Sequence, residues 1–362
     1  MKWLWNASKK TTAKVLLHSN SPAGQYVRLF FIGVLLYLAA VLPFILYRGG
    51  IFFYYGDYNV QQVPFYIFAH RAVRNGTFFW NFHLDLGSSM GGSFAFYLWG
   101  SPFFWFSCLF PEKWIPYMMP FFMSLKYGTA LCTSYAWLRT QTRTNRGALL
   151  GAFLYAFSGF QACNIVFQHF HEAVAFFPLY LLALDRCHQA LTCNAGSISQ
   201  KKRGILGFVL MTAAMSVINY FFFFGQVLFL AVYFLIRYAS SQKISRALKE
   251  ILQLALAGTL GLALSAFFLV QVLDTVSGNT RLSDILLGYN MVAYSEPTTP
   301  LAILKSFFML PDIVGRGTLF TSEQIRNSSL SLFVPCFAVS GAIAYLRAHQ
   351  KSWKKTPLLT CL

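Results

Sequence analysis

One acid, Asp57, stands in "GDYNVQQVPF" (56–65), with the amides of Asn59, Gln61 and Gln62 close behind it. A carboxylate set among amides and aromatic rings can grip sugar hydroxyls and take a proton from an attacking alcohol. The same acid would also serve as a solvated loop charge or a helix N-cap. A second cluster, "FQHFHEAV", brings His169, His171 and Glu172 together. His169 and Glu172 share a face if the segment is helical, and a polar helix start at a membrane edge is the plain alternative. Lys126, in "MSLKYGTA", is the one cation deep inside an apolar run. Such a lysine costs on the order of 2.5–3.5 kcal/mol to insert, so it must aim at a cavity or partner. An anionic group, a backbone carbonyl and snorkelling to the interface are the candidates. Arg281, in "SGNTR", could hold an anionic headgroup or simply be solvated. Asp85 and His83, in "NFHLDLG", could position an acceptor, although an acid two residues before a glycine reads first as a turn residue.

Elements that could hold these groups follow from composition. The chain has 362 residues, 56% hydrophobic and only 11% charged, too little polar surface to cover a water-soluble domain. Apolar runs of roughly 20 residues match a ~30 Å hydrocarbon core crossed by helices, and the alternating segments of an outer-membrane barrel are missing. An all-α polytopic membrane protein is therefore expected. The seven cysteines are odd in number, lie mostly in or near apolar runs and form no C-x-x-C pair, so they read as packing residues.

The formal charge of +18 reports topology rather than a nucleic-acid partner. After a basic, tryptophan-bearing segment (1–28) that suits a cytoplasmic interfacial helix, apolar runs fall near 29–46, 115–138, 147–166, 173–185, 204–219, 223–238, 249–272 and 328–346. The short run at 97–110, broken by Gly100 and Pro102, decides the map. If it dips without crossing, most of the 29 Lys and Arg residues fall inside, and only Asp185 and Glu250 of the 11 acids join them. The expectation is then about eight spans in a domain covering 29–346, with both termini cytoplasmic. Its long outer loops are 47–114 and 273–327, and 347–362 forms a cytoplasmic tail. Trp80, Trp99, Trp105 and Trp114 press the first loop against the membrane. The aromatic run "NYFFFFG" (219–225) reads as a tight outer turn.

Taken in order, "GDYNVQQVPF", "FFWN", "LDLGSSMGG", "YLWGSPFFW", "LFPE", "SLKYGTALCTSYAWLR", "HEAVAFFPLYLLALDR" and "LSAFFLVQVLDTVSGNTR" resemble the YfhO family of bacterial membrane proteins, of the GT-C glycosyltransferase type. The resemblance implies transfer of a sugar from a polyprenyl-phosphate carrier to an acceptor outside the cytoplasmic membrane, a teichoic or lipoteichoic acid in relatives. It also implies an outward-facing site in a multi-pass protein of the bacterial cell membrane. In the GT-C pattern an acid of the first outer loop acts as base or organises the acceptor, and Asp57 matches it. Asn59, Gln61, Gln62 and Asp85 would then contact acceptor or sugar, and Lys126 and Arg281 the donor phosphate. Some GT-C enzymes hold a divalent metal, such as Mg or Mn, near a second outer-loop acid. Glu172 with His169 is the corresponding pair, although the family is not uniformly metal-dependent. Family members are longer, so the chain reads as a truncated homologue or a fragment. Two rival classes are a lipid-linked sugar transporter and a non-catalytic scaffold. A transporter would carry midplane ionisable groups and paired repeats, of which only Lys126 is visible.

Overall fold

The computed structural model describes residues 22–192, 197–278, 303–304, 307, 333 and 335–348. Residues 1–21 of the basic amino-terminal segment, Arg281, most of the stretch 273–327 expected as an outer loop, and residues 349–362 of the expected tail lie outside them. Among the described residues the chain is helical apart from one two-residue hairpin, with Trp80 opposite Ser89 and Asn81 opposite Ser88. In order, the helices are α1 (Pro22–Tyr47), α2 (Val63–Asn75), α3 (Met90–Ser93), α4 (Pro102–Ser107), α5 (Ile115–Gln141), α6 (Asn145–Ala156) and α7 (Gly159–Cys163). They continue with α8 (Phe170–Thr192), α9 (Ile198–Ile218), α10 (Tyr220–Arg237), α11 (Ile244–Leu264), α12 (Ala266–Ser277) and α13 (Cys336–Ala348). Among the described residues four stretches are long and apolar enough to cross a bilayer: Ala23–Tyr47, Asn145–Val166, Tyr220–Arg237 and Ile244–Leu264. The chain is thus an all-α polytopic membrane protein.

Local chemistry sets the ends of these helices. Pro102 opens α4 where a missing N–H is harmless, and the Ser101 side chain caps it by accepting from Phe104 N–H at 3.0 Å. Gly76, at φ +69°, closes α2 through its N–H to the carbonyls of Ala72 and Val73. At six residues, roughly 9 Å of rise, α4 cannot cross a bilayer. The run 249–272, expected as one span, is broken at Ser265 into α11 and α12. The stretch 219–225 is not a loop. Asn219 alone separates α9 from α10, its side chain accepting from Phe222 N–H, and the phenylalanines are already helical. Of the four loop tryptophans, Trp80, Trp105 and Trp114 are exposed, whereas Trp99 is buried with its indole N–H donating to the Met90 carbonyl.

Two compact units divide the chain. The first comprises 1–76, 101–157 and 166–182, the second 77–100, 158–165 and 183–362. In the first, Leu29, Ala130, Leu131, Tyr135, Ala148, Ala152 and Ala175 form a fully buried core, in which small side chains let helices approach closely. A Cβ added at Gly33 would stand 2.8 Å from the Gly128 Cα, so α1 and α5 touch there backbone to backbone. In the second unit the same device joins α9 to α11, because a Cβ at Gly261 would come within 2.6 Å of the Val209 carbonyl oxygen. Cys108, Cys132 and Cys187 are free thiols.

Candidate functional site

Asp57 lies in the first unit, on the segment that follows α1. Gly56, at φ +57°, turns the chain in a conformation open chiefly to glycine, and Asp57 then occupies the N-cap of a five-residue π-helical turn, Tyr58–Gln62. Its carboxylate makes no capping hydrogen bond and is partly exposed.

The amides behind it are committed to the fold. The Asn59 side chain clamps the Tyr54 backbone, accepting from its N–H at 3.3 Å and donating to its carbonyl. Gln62 is buried, donates to Gln61 at 3.3 Å, and its Oε1 lies 3.3 Å from Nδ1 of His169. Of the three amides expected to grip sugar, Asn59 and Gln62 instead shape the turn that presents Asp57, and Gln61 is half-buried beside them. Tyr58 is buried under the edges of Phe52 and Tyr54, at 5.4 and 6.3 Å between ring centroids.

Below this turn sits a buried charge cluster. Lys126 Nζ lies 2.8 Å from Glu172 Oε1 and donates to the Gln168 carbonyl at 2.9 Å, with both charged side chains at most 1% exposed. Ser101, which caps α4, also donates its hydroxyl to Glu172 Oε1. The Phe103 ring lies 5.6 Å from the ammonium. One helix supplies the cation, another the anion, and a short helix start the third partner. His169, next to Gln168, completes the link to Gln62. Burial first, and the neighbouring Lys126 ammonium second, hold the His169 ring well below the ordinary imidazole value.

This geometry bears on two expectations. Lys126 is neutralised by Glu172 and engaged by a carbonyl, so it has no free charge to offer a carrier phosphate. A metal at Glu172 and His169 does not fit either. Among the described residues no three His, Cys, Asp or Glu groups gather as ligands, and a divalent ion on Glu172 would stand beside an ammonium 2.8 Å from its Oε1, whose like charge opposes it. Asp85 lies in the second unit at the exposed tip of the hairpin, at φ +48°, followed by Leu86 and Gly87 also at positive φ. That is a turn position. Arg281 lies outside the described residues. Sequence reasoning missed Ser101 and Gln168. The signal for them was the insertion cost of Lys126, which demanded partners.

A helical chain with bilayer-length apolar helices, a compensated ion pair in its interior and an accessible acid at a helix start defines a polytopic membrane protein. It belongs to the YfhO family. The family's model, described as Bacterial membrane protein YfhO, matches residues 29–357. No curated protein and no solved structure matches the chain.

Proposed function

We propose that the protein is a membrane glycosyltransferase moving a sugar from a polyprenyl-phosphate carrier to a cell-envelope glycopolymer on the outer face of the cytoplasmic membrane, with Asp57 as general base. The observation that carries this reading is the Asp57 carboxylate: partly exposed, without a capping hydrogen bond, and presented by a turn that Asn59, Gln62 and His169 hold in shape. In the step envisaged, an acceptor hydroxyl gives its proton to Asp57 while its oxygen forms the new bond to the anomeric carbon. The bond from that carbon to the carrier phosphate breaks, and polyprenyl phosphate leaves with the electron pair. A placed carboxylate contributes about 10²- to 10⁴-fold to such a step.

The test is Asp57→Asn in the full chain, assayed for consumption of a polyprenyl-phosphate sugar with envelope acceptors. Transfer should fall by about 10²-fold or more at an unchanged melting temperature, since the side chain caps nothing. Undiminished transfer by a folded variant would remove the assignment. A rival, transport of a lipid-linked sugar, is favoured by one observation, the ion pair buried between α5 and α8. Translocation of a labelled lipid-linked sugar that persists in Asp57→Asn and stops in the double variant Lys126→Met, Glu172→Gln, which keeps the fold by removing both charges, would select it.

A further inference from the structure

The carboxyl-terminal half of α8 carries two contrasting faces within the second unit. On one, Asp185 accepts hydrogen bonds from the phenols of Tyr233 and Tyr238, at 3.1 and 2.7 Å. A turn later His188 pairs with Glu250 and stacks on the Tyr238 ring at 3.7 Å between centroids. Gln242 donates to the other Glu250 oxygen at 3.2 Å. Asp185 and Glu250 are each 3% exposed, so both acids at this end of the helices are buried and already bound.

The other face has cations without acids. A cavity of about 380 Å³ opens between the end of α8 and the first turns of α9, lined by Arg186, Lys201 and Arg203 with the amides of Gln189 and Gln200. Gly204 brings the two helices together, because a Cβ there would meet the Arg186 carbonyl oxygen at 2.9 Å. Cations from both helices therefore converge on one space. No carboxylate lines it, and no ion pair engages these three side chains among the described residues. Three like charges in one cavity repel, and a multivalent oxyanion relieves that repulsion while accepting from guanidinium, ammonium and amide donors. Asp185 and Glu250 do not do so, since their oxygens are engaged by Tyr233, Tyr238, His188 and Gln242.

We infer that this cavity binds a phosphate group, carried either by an anionic lipid headgroup or by a soluble phosphate compound. By the distribution of basic loops this end faces the cytoplasm, where basic pockets between spanning helices meet anionic headgroups. The site is independent of Asp57 and of sugar transfer.

Native mass spectrometry of the detergent-purified full chain, incubated in turn with phosphatidylglycerol, phosphatidylcholine and inorganic pyrophosphate, tests it. Wild type should retain phosphatidylglycerol or pyrophosphate but not phosphatidylcholine. The triple variant Arg186→Gln, Lys201→Gln, Arg203→Gln should retain at least tenfold less. A control triple, Lys243→Gln, Arg246→Gln, Lys249→Gln, removes equal charge from exposed positions on the next basic loop and should bind as wild type does. Arg186→Gln alone, at an exposed position, should lower retention severalfold and serves where the triple variant does not fold. Retention of the lipid alone identifies a headgroup site, and retention of pyrophosphate alone a soluble ligand. Binding of neither anion by wild type, equal loss in both triples, unchanged retention in the cavity variants, or equal retention of phosphatidylcholine overturns the inference.

Discussion

Replacing Lys126 by Met strips the ammonium from an ion pair that is closed to water on both sides. The surviving Glu172 carboxylate, 1% exposed, would keep the Ser101 hydroxyl as its donor, and the Gln168 carbonyl would lose the ammonium that satisfies it. Breaking a buried pair by removing one partner costs about 3–5 kcal/mol, because one charge is left uncompensated in a low dielectric. Removing both charges, as Lys126→Met with Glu172→Gln, should instead leave the protein within about 1–2 kcal/mol of wild type, since the desolvation penalty goes with the pair. The double variant then recovers most of the loss, and the two sites couple by several kcal/mol. In thermal melts of the detergent-solubilised chain, followed by tryptophan fluorescence, Lys126→Met should lower Tm by roughly 5–10 °C. The double variant should return most of that shift. A single variant that melts with wild type, or a double variant as unstable as the sum of its parts, would refute the pairing.

Gly100→Ala would place a Cβ 1.7 Å from the Val217 carbonyl oxygen, a backbone atom that cannot step aside, and should cost about 1–3 kcal/mol in the same melts. Gly207→Ala, with nothing within 4 Å of the added carbon and a helical position, should be neutral or stabilising. Asn219→Ala removes the α10 cap and should lower stability by about 0.5–2 kcal/mol, while Asn219→Ser keeps an acceptor and most of the stability. His70, hydrogen-bonded to Ser107 at 2.9 Å, is held below the ordinary imidazole value of about 6.5, by burial first and Arg74 second. Its folded value lies below its unfolded one, so the stability gained by keeping the ring neutral is complete above about pH 6.5. That stability is lost as pH falls from there through the folded value. His70→Gln should flatten that part of the stability curve, and an identical acid limb in the variant would exclude His70 as its source.

The apolar runs and the uneven placement of charge made the helical class legible, because burial in lipid leaves a strong signature over tens of residues. Gly100 and Pro102 likewise marked the run at 97–110 as one unable to form a single long helix. The break at Ser265 was hidden, since a serine amid leucines and alanines changes hydropathy little. The turn at Asn219 was misplaced because phenylalanines suit a membrane edge and a helix interior equally. At the site, Asp57 was visible as a lone acid after an apolar run. The pairing of Lys126 with Glu172 was not, because each residue was weighed against an external ligand, although the cost of burying either one pointed to the other. Asn59 and Gln62 look like sugar-binding amides in one dimension and become scaffold only when the turn closes on Tyr54 and His169.

A single residue, Asn219, joins two helices of 21 and 18 residues. So short a tether leaves no slack: neither rod can sink toward or rise from the middle of the bilayer without dragging its neighbour by nearly the same distance. Any vertical displacement in this part of the protein is therefore made by both rods as one piston, and compliance has to come from the Ser265 break or from the longer connections.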